Sequence, residues 1–173
     1  MRLFIAINLN DATKDSLVGL RDELKSSSER GSFTFRENLH ITLAFLGECD
    51  ARQAAAAKAA MDSLSFKPFD VRIERIGRFA AEQGEATWWA GVGVGEALSA
   101  LNLDLADRLD AAGFLVDKRK FSPHITLGRR VVTDAAARRV APFGETVRKI
   151  DLMKSERIDG KLTYTAIHHK HSF

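Results

Sequence analysis

Apolar residues change their spacing along this chain, and each change predicts an element. The opening octet, Met1-Arg2-Leu3-Phe4-Ile5-Ala6-Ile7-Asn8, has the composition of a strand. Asp11 or Thr13 then caps a helix in which Leu17, Leu20 and Leu24 recur at three and four residues, and a loop follows from Ser26 to Gly31. After a short extended piece, His40-Ile41-Thr42-Leu43-Ala44-Phe45-Leu46-Gly47 returns to a strand pattern. Asp50 caps an alanine-rich helix reaching about Leu64, with Ala54, Ala57, Met61 and Leu64 on one stripe. Two strands, Phe69 to Phe79 and Glu85 to Val94, flank a hairpin turn at Gly84. A helix from Glu96 to Ala112 carries Leu98, Leu101, Leu105 and Leu109 along one face, and Gly113 suits its end. Another strand begins at His124, a short helix is predicted from Thr133 to Val140, and strands near Thr146 to Lys154 and Leu162 to His168 complete the pattern. Mixed helices and strands with hairpins predict an α+β fold with mainly antiparallel sheets. The three prolines are scattered and no Gly/Ser tract interrupts the chain, so residues 1–173 read as a single domain.

Composition narrows the class. At 173 residues and 45% hydrophobic content the chain can bury a real core, which excludes disordered and fibrous readings. Its lone cysteine, Cys49, supplies neither an intramolecular disulfide nor a zinc module, so a reducing cytoplasm is the expected compartment. The apolar start is too short for a signal peptide, and no run approaches 18 apolar residues, so no membrane partner is expected. The net charge of +3 is uneven. Residues 1–112 hold 13 Lys/Arg against 17 Asp/Glu, a net −4, whereas residues 113–173 hold 13 against 6, a net +7. That imbalance suits a polyanionic partner or, more commonly, a solvated basic face.

The sharpest feature is a repeat: His40-Ile41-Thr42-Leu43 recurs as His124-Ile125-Thr126-Leu127, 84 positions later. The two copies predict two similar lobes, each giving one strand to a shared cleft. Strand side chains alternate, so His40 and Thr42 share one face while Ile41 and Leu43 share the other, and likewise in the second copy. The aliphatic pairs then enter the lobe cores, leaving an imidazole and a hydroxyl on the open face. Metal binding fits poorly, because His-x-Thr lacks a second strong ligand and no HExxH or carboxylate cluster accompanies it. Serine or cysteine nucleophiles lack their usual settings. Two imidazoles suit acid–base chemistry at a phosphodiester, since one can accept a proton while the other donates. The hydroxyls of Thr42 and Thr126 can donate hydrogen bonds to phosphoryl oxygens, and an arginine beyond the second repeat can offset developing charge.

At these residues the sequence resembles the two-histidine phosphoesterase superfamily, and within it the RNA 2′,3′-cyclic phosphodiesterases, also called 2′-5′ RNA ligases. The resemblance spans nearly the whole chain and includes Arg2-Leu3-Phe4-Ile5-Ala6, Glu37-Asn38-Leu39-His40-Ile41-Thr42-Leu43-Ala44-Phe45-Leu46-Gly47 and Phe121-Ser122-Pro123-His124-Ile125-Thr126-Leu127-Gly128-Arg129. It implies a bilobal, pseudo-two-fold domain with the cleft between lobes, needing no metal or cofactor. It also implies opening of an RNA 2′,3′-cyclic phosphate end to a 2′-phosphate, with tRNA-like fragments among the possible substrates, and in some members joining of RNA ends through a 2′-5′ linkage. His40 and His124 would be catalytic, His40 protonating the departing 3′ oxygen and His124 activating water, although pseudo-symmetry leaves those roles exchangeable. Thr42, Thr126 and Arg129 would hold the phosphate. Strict alternation instead puts Arg130 on the face of His124, unless a bulge at Gly128 turns Arg129 inward.

Weaker signals remain. Lys118-Arg119-Lys120, with Arg138, Arg139, Arg148 and Lys149, is a candidate RNA path or a solvated face. Trp88 and Trp89 point to opposite faces, so one is expected in the core and the other over a helix or at the cleft. His168, His169 and His171 are expected on a frayed terminus. Ser155 and Tyr164 match family positions without a mechanism that needs them. Alternatives are a cyclic phosphodiesterase for a small nucleotide and an RNA- or nucleotide-binding module without turnover. A monomer is expected.

Overall fold

The computed structural model describes residues 1–118 and 120–173 and has two antiparallel sheets and three α-helices. In chain order the elements are β1 (Arg2–Asn8), α1 (Asp11–Ser26), β2 (Ser28–Phe33), β3 (His40–Glu48), α2 (Ala51–Asp62), β4 (Phe69–Ala80), β5 (Ala86–Val92), α3 (Glu96–Ala111), β6 (His124–Thr133), β7 (Arg138–Val147), β8 (Lys149–Ile158) and β9 (Lys161–His171). One sheet runs β3-β1-β8-β9 and the other β2-β6-β5-β4-β7. The fold class is thus the predicted one, with one repeat strand in each sheet. The lobes are not successive halves of the chain, however. β1, with β3 on one side, pairs on the other with β8 from the far end, which in turn pairs with β9, while β2 leaves its sequence neighbours to pair with β6. The basic stretch 113–173 is therefore divided between both sheets and does not form a basic half.

Local chemistry explains most boundaries. α1 is capped by Asn10, not by Asp11 or Thr13: its side-chain oxygen accepts from the Thr13 N–H at 2.9 Å. α2 has a reciprocal capping box in which Asp50 accepts from the Gln53 N–H and the Gln53 side chain accepts from the Asp50 N–H. Leu98, Leu101, Leu105 and Leu109 are buried as their spacing predicts, and Gly113 takes a φ of 95° beyond the end of α3. The β8–β9 connection turns through Asp159 and Gly160, both with positive φ, a tight turn whose twist matches the flanking strands.

Three expectations are corrected. The segment Ser26 to Gly31 is largely strand β2, paired with β6 despite its polar sequence. No helix forms at Thr133 to Val140. The Thr133 hydroxyl accepts from the Ala135 N–H at 3.2 Å, and from Arg138 the backbone pairs with β4. Eight residues are too few to nucleate a helix against that ladder. The terminal histidines are not frayed: β9 holds them against β8, with His168 on Asp62 and His169 on the buried Asp151. Most of the core among the described residues is one cluster reaching both sheets and all three helices, with Ile5, Ile41, Trp88, Ile125 and Leu127 among its most buried members, and Phe4, Ala6 and Met153 form a second, smaller cluster with Tyr164 packed against it. No helix among the described residues is long and apolar enough to cross a membrane.

Two glycines give opposite predictions. A Cβ at Gly144 in β7 would sit 1.9 Å from the Val71 carbonyl oxygen, so Gly144→Ala should destabilise by about 1–3 kcal/mol. Gly19 in α1 has nothing within 4 Å of that position, so Gly19→Ala should stabilise by up to about 1 kcal/mol. Thermal and urea unfolding of the two variants check both signs.

Candidate active site

β3 and β6 carry their repeats into contact with one another, one from each sheet. Ile41, Leu43, Ile125 and Leu127 are buried, which leaves His40, Thr42, His124 and Thr126 on a cleft of about 1160 Å³ between the sheets. The same cleft is lined by Arg129, Ser155 and Tyr164, by Phe4, Phe45 and Phe79, and by Arg2, Lys120 and Arg157.

Each imidazole is tied back to its own strand. His40 Nδ1 lies 2.7 Å from the Asn38 carbonyl oxygen, and His124 Nδ1 lies 2.8 Å from that of Ser122. A carbonyl oxygen can only accept, so each Nδ1 carries a proton and, in the neutral ring, each Nε2 is left with its lone pair. Ring packing holds the orientation. Phe4 and Tyr164 sit 5.0 Å and 5.3 Å from the His40 ring, Tyr164 edge-on at 86°. Phe79 and Trp89 sit 5.3 Å and 6.4 Å from His124, Phe79 edge-on at 88°. Trp89 fits because Gly77 and Gly91 leave room: a Cβ on Gly77 would fall 2.4 Å from its ring. Arg75 covers Trp89 at 5.0 Å.

Burial pushes the His40 pKa below its ordinary value, against the opposing pull of the Asn38 carbonyl, and the positive charges of Arg129, His124 and Lys14 push it further down. Burial raises the Tyr164 hydroxyl, while Arg129 and Arg2 oppose that rise. Arg129 thus acts electrostatically on the ring and the phenol of the opposite sheet.

A bulge sets which arginine enters the cleft. In the β5–β6 ladder Trp89 faces Thr126 and Trp88 faces Gly128, so Leu127 has no opposing residue. One extra residue reverses the alternation, so Gly128 turns towards the core beside Phe33 and Val131, while Arg129 returns to the face of His124. Arg130, with a φ of 51°, does not line the cleft but a neighbouring groove with Glu82 and Glu85, which Arg129 also borders. The extra residue is Leu127, one position earlier than the bulge expected at Gly128.

The other sequence candidates divide. Trp88 is core and Trp89 borders the cleft. Lys118 pairs with Asp107 and Asp110, Arg138 with Glu23 and Lys149 with the buried Asp151, so these cations are engaged away from the cleft. Lys120 lines the cleft, and Arg119 lies outside the described residues. Thr42 is engaged as well: its hydroxyl is 2.9 Å from His40 Nε2. Sequence reasoning missed Phe45, Phe79 and Arg157, because their place on the cleft depends on bulges and on strands distant in the chain. Among the described residues no group of three or more His, Cys, Asp or Glu side chains is arranged to hold a metal ion.

Comparison with known proteins agrees with the fold. The family model described as "2'-5' RNA ligase superfamily" matches residues 13–159. A curated RNA 2',3'-cyclic phosphodiesterase of Archaeoglobus fulgidus is 33% identical over 129 residues, covering 75% of this chain and 72% of that protein. One of Geobacillus stearothermophilus is 32% identical over 136 residues, 73% of this chain but only 41% of its own length. Among solved structures, apo LigT of E. coli superposes with a TM-score of 0.83 at 23% identity, covering 99% of this chain and 96% of LigT. TT0787 of Thermus thermophilus gives 0.80 at 26%, covering 99% and 97%. A family match over most of the length, joined to relatives above 30% identity, makes this chain a member of the 2'-5' RNA ligase superfamily.

Proposed function

We propose that this protein opens the 2′,3′-cyclic phosphate at an RNA end to a 2′-phosphate, by acid–base catalysis between His40 and His124 and without a metal ion. The observation that carries the reading is the matched pair of imidazoles, each holding its Nδ1 proton against a backbone carbonyl and turning Nε2 to the cleft side, where that of His40 lies 2.9 Å from the Thr42 hydroxyl. The names of the Archaeoglobus and Geobacillus relatives support the same reaction. His124 takes a proton from water as the water oxygen bonds to phosphorus. The bond from phosphorus to the 3′ oxygen breaks, and His40 gives that oxygen a proton. The pair ends with its protonation exchanged, and solvent resets it. Arg129 and the hydroxyl of Thr126 steady the charge that gathers on the phosphoryl oxygens, while Thr42 orients His40. A ribose 5′-hydroxyl standing where water stands would give a 2′-5′ linkage in the same step, which accounts for ligation as a variant of one chemistry.

An acid role for His40 needs a proton that burial disfavours in the empty cleft. The entering phosphate supplies the compensating negative charge, so binding should raise the His40 pKa. In the free protein the imidazole signals of His40 should titrate below the ordinary value of about 6.5, and a bound nucleoside 2′-phosphate should move that midpoint upward. An unmoved midpoint would remove His40 as the acid. The pH profile of kcat/KM should be bell-shaped, rising as the base loses its proton and falling as the acid loses its own.

The decisive assay supplies RNA with a 2′,3′-cyclic phosphate end in EDTA and identifies the product. The expected result is a 2′-phosphate, with His40→Ala and His124→Ala each lowering the rate by about 10²- to 10⁴-fold while unfolding stays cooperative. No conversion by the wild type, or conversion only with added metal, would sink the reading. Tight binding of 2′-phosphorylated RNA without turnover would favour a binding module instead.

A further inference from the structure

The bulge that turns Arg129 into the cleft has a counterpart in the other sheet. Along β1 and β3, Ala6 faces Thr42 and Ile5 faces Ala44, so Leu43 has no opposing residue, as Leu127 has none on β6. Both extra residues stand three positions after the histidine. Both reverse the alternation, so that small residues at the next position, Ala44 and Gly128, oppose the buried Ile5 and Trp88. In each sheet the fifth residue after the histidine then returns to the cleft. On β6 that residue is Arg129, and on β3 it is Phe45, opposite Phe4.

Strict alternation would have sent Phe45 into the core. Instead its side chain is turned into the cleft that holds both histidines and Arg129, and is left 69% exposed. Single exposed apolar residues are ordinary on protein surfaces. This one is placed by the same backbone irregularity that delivers the cleft arginine. It is also one ring away from the histidine, since Phe4 lies 5.0 Å from the His40 ring and 6.4 Å from that of Phe45. An open phenyl ring beside a phosphate site has an evident complement in a nucleobase, which offers a flat face on any of the four bases.

We propose that Phe45 is the stacking platform for the nucleobase of the nucleotide that carries the reacting phosphate, so that the two equivalent positions divide recognition, Arg129 for phosphate and Phe45 for base. The inference rests on the reaction proposed above for the same cleft. It makes Phe45 a specificity residue without part in proton transfer, one that favours a nucleoside over a bare ribose and is tolerant of base identity.

The test compares adenosine 2′,3′-cyclic phosphate with methyl riboside 2′,3′-cyclic phosphate, which lacks the base. The wild type should prefer the nucleotide by about tenfold or more in kcat/KM, chiefly through KM. Phe45→Ala should remove most of that preference, its loss falling mainly on the KM of the nucleotide, and Phe45→Trp should restore it. A preference that survives in Phe45→Ala would overturn the proposal. Because Phe45 is exposed, its loss should leave the melting temperature near that of the wild type. Binding of adenosine 2′-phosphate and methyl riboside 2′-phosphate by calorimetry separates the two ideas. If neither cyclic substrate is opened but Phe45→Ala still weakens only the nucleotide, the reaction is wrong and the base platform stands. If it weakens neither or both equally, the platform is wrong.

Discussion

The bond from each imidazole Nδ1 to the carbonyl oxygen two residues earlier governs the rest of the site. It settles the tautomer, because the carbonyl can only accept, and it aims the ring, because donor and acceptor belong to one short stretch of chain. The strand beyond each histidine then has to keep that face open. It does so by sending Ile41 and Ile125 into the core, where neither retains exposure to solvent. Hydrophobic burial on one face and polar presentation on the other are therefore one arrangement in β3 and β6, and aromatic rings close the sides of each imidazole.

The paired bulges add a second constraint. A strand can offer only alternate residues to one face, which limits how closely successive functional side chains can follow in sequence. An unopposed leucine three positions after each histidine changes the parity and brings the fifth residue to the face of the first. Both leucines stay buried, so the irregularity costs ladder regularity without opening the core. The outcome is one framework used twice with different side chains: a guanidinium on one wall and a phenyl ring on the other. The charge of Arg129 is felt across the cleft, where it helps hold His40 below its ordinary pKa.

Much of this is legible in sequence, and the reasons differ by element. α2 and α3 are readable because capping and apolar stripes are local: Asp50 and Gln53 are three residues apart, and the four leucines of α3 recur within one face. The repeat strands are readable because the same tetrapeptide occurs twice. β2 is hidden because Ser28–Phe33 has no alternation and is held by β6, about a hundred residues away. The segment after Thr133 reads as helical for the matching reason: its alanines favour a helix locally, but β4 offers a ladder. The terminal histidines read as frayed because Asp151 and Asp62, which hold two of them, come from other elements.

By itself the sequence determined the chemistry available to this protein: two imidazoles and two hydroxyls at equal spacing, each pair backed by aliphatic residues that must be buried. That much follows from strand periodicity and side-chain type, which are local. Tertiary structure alone decided which further side chains join them. Arg129 and not Arg130, Phe45 facing the cleft and not the core, Trp89 beside His124 and Trp88 in the core all depend on how β3 and β6 register against β1 and β5. Register is a property of paired strands, and one unopposed residue reverses every side chain beyond it.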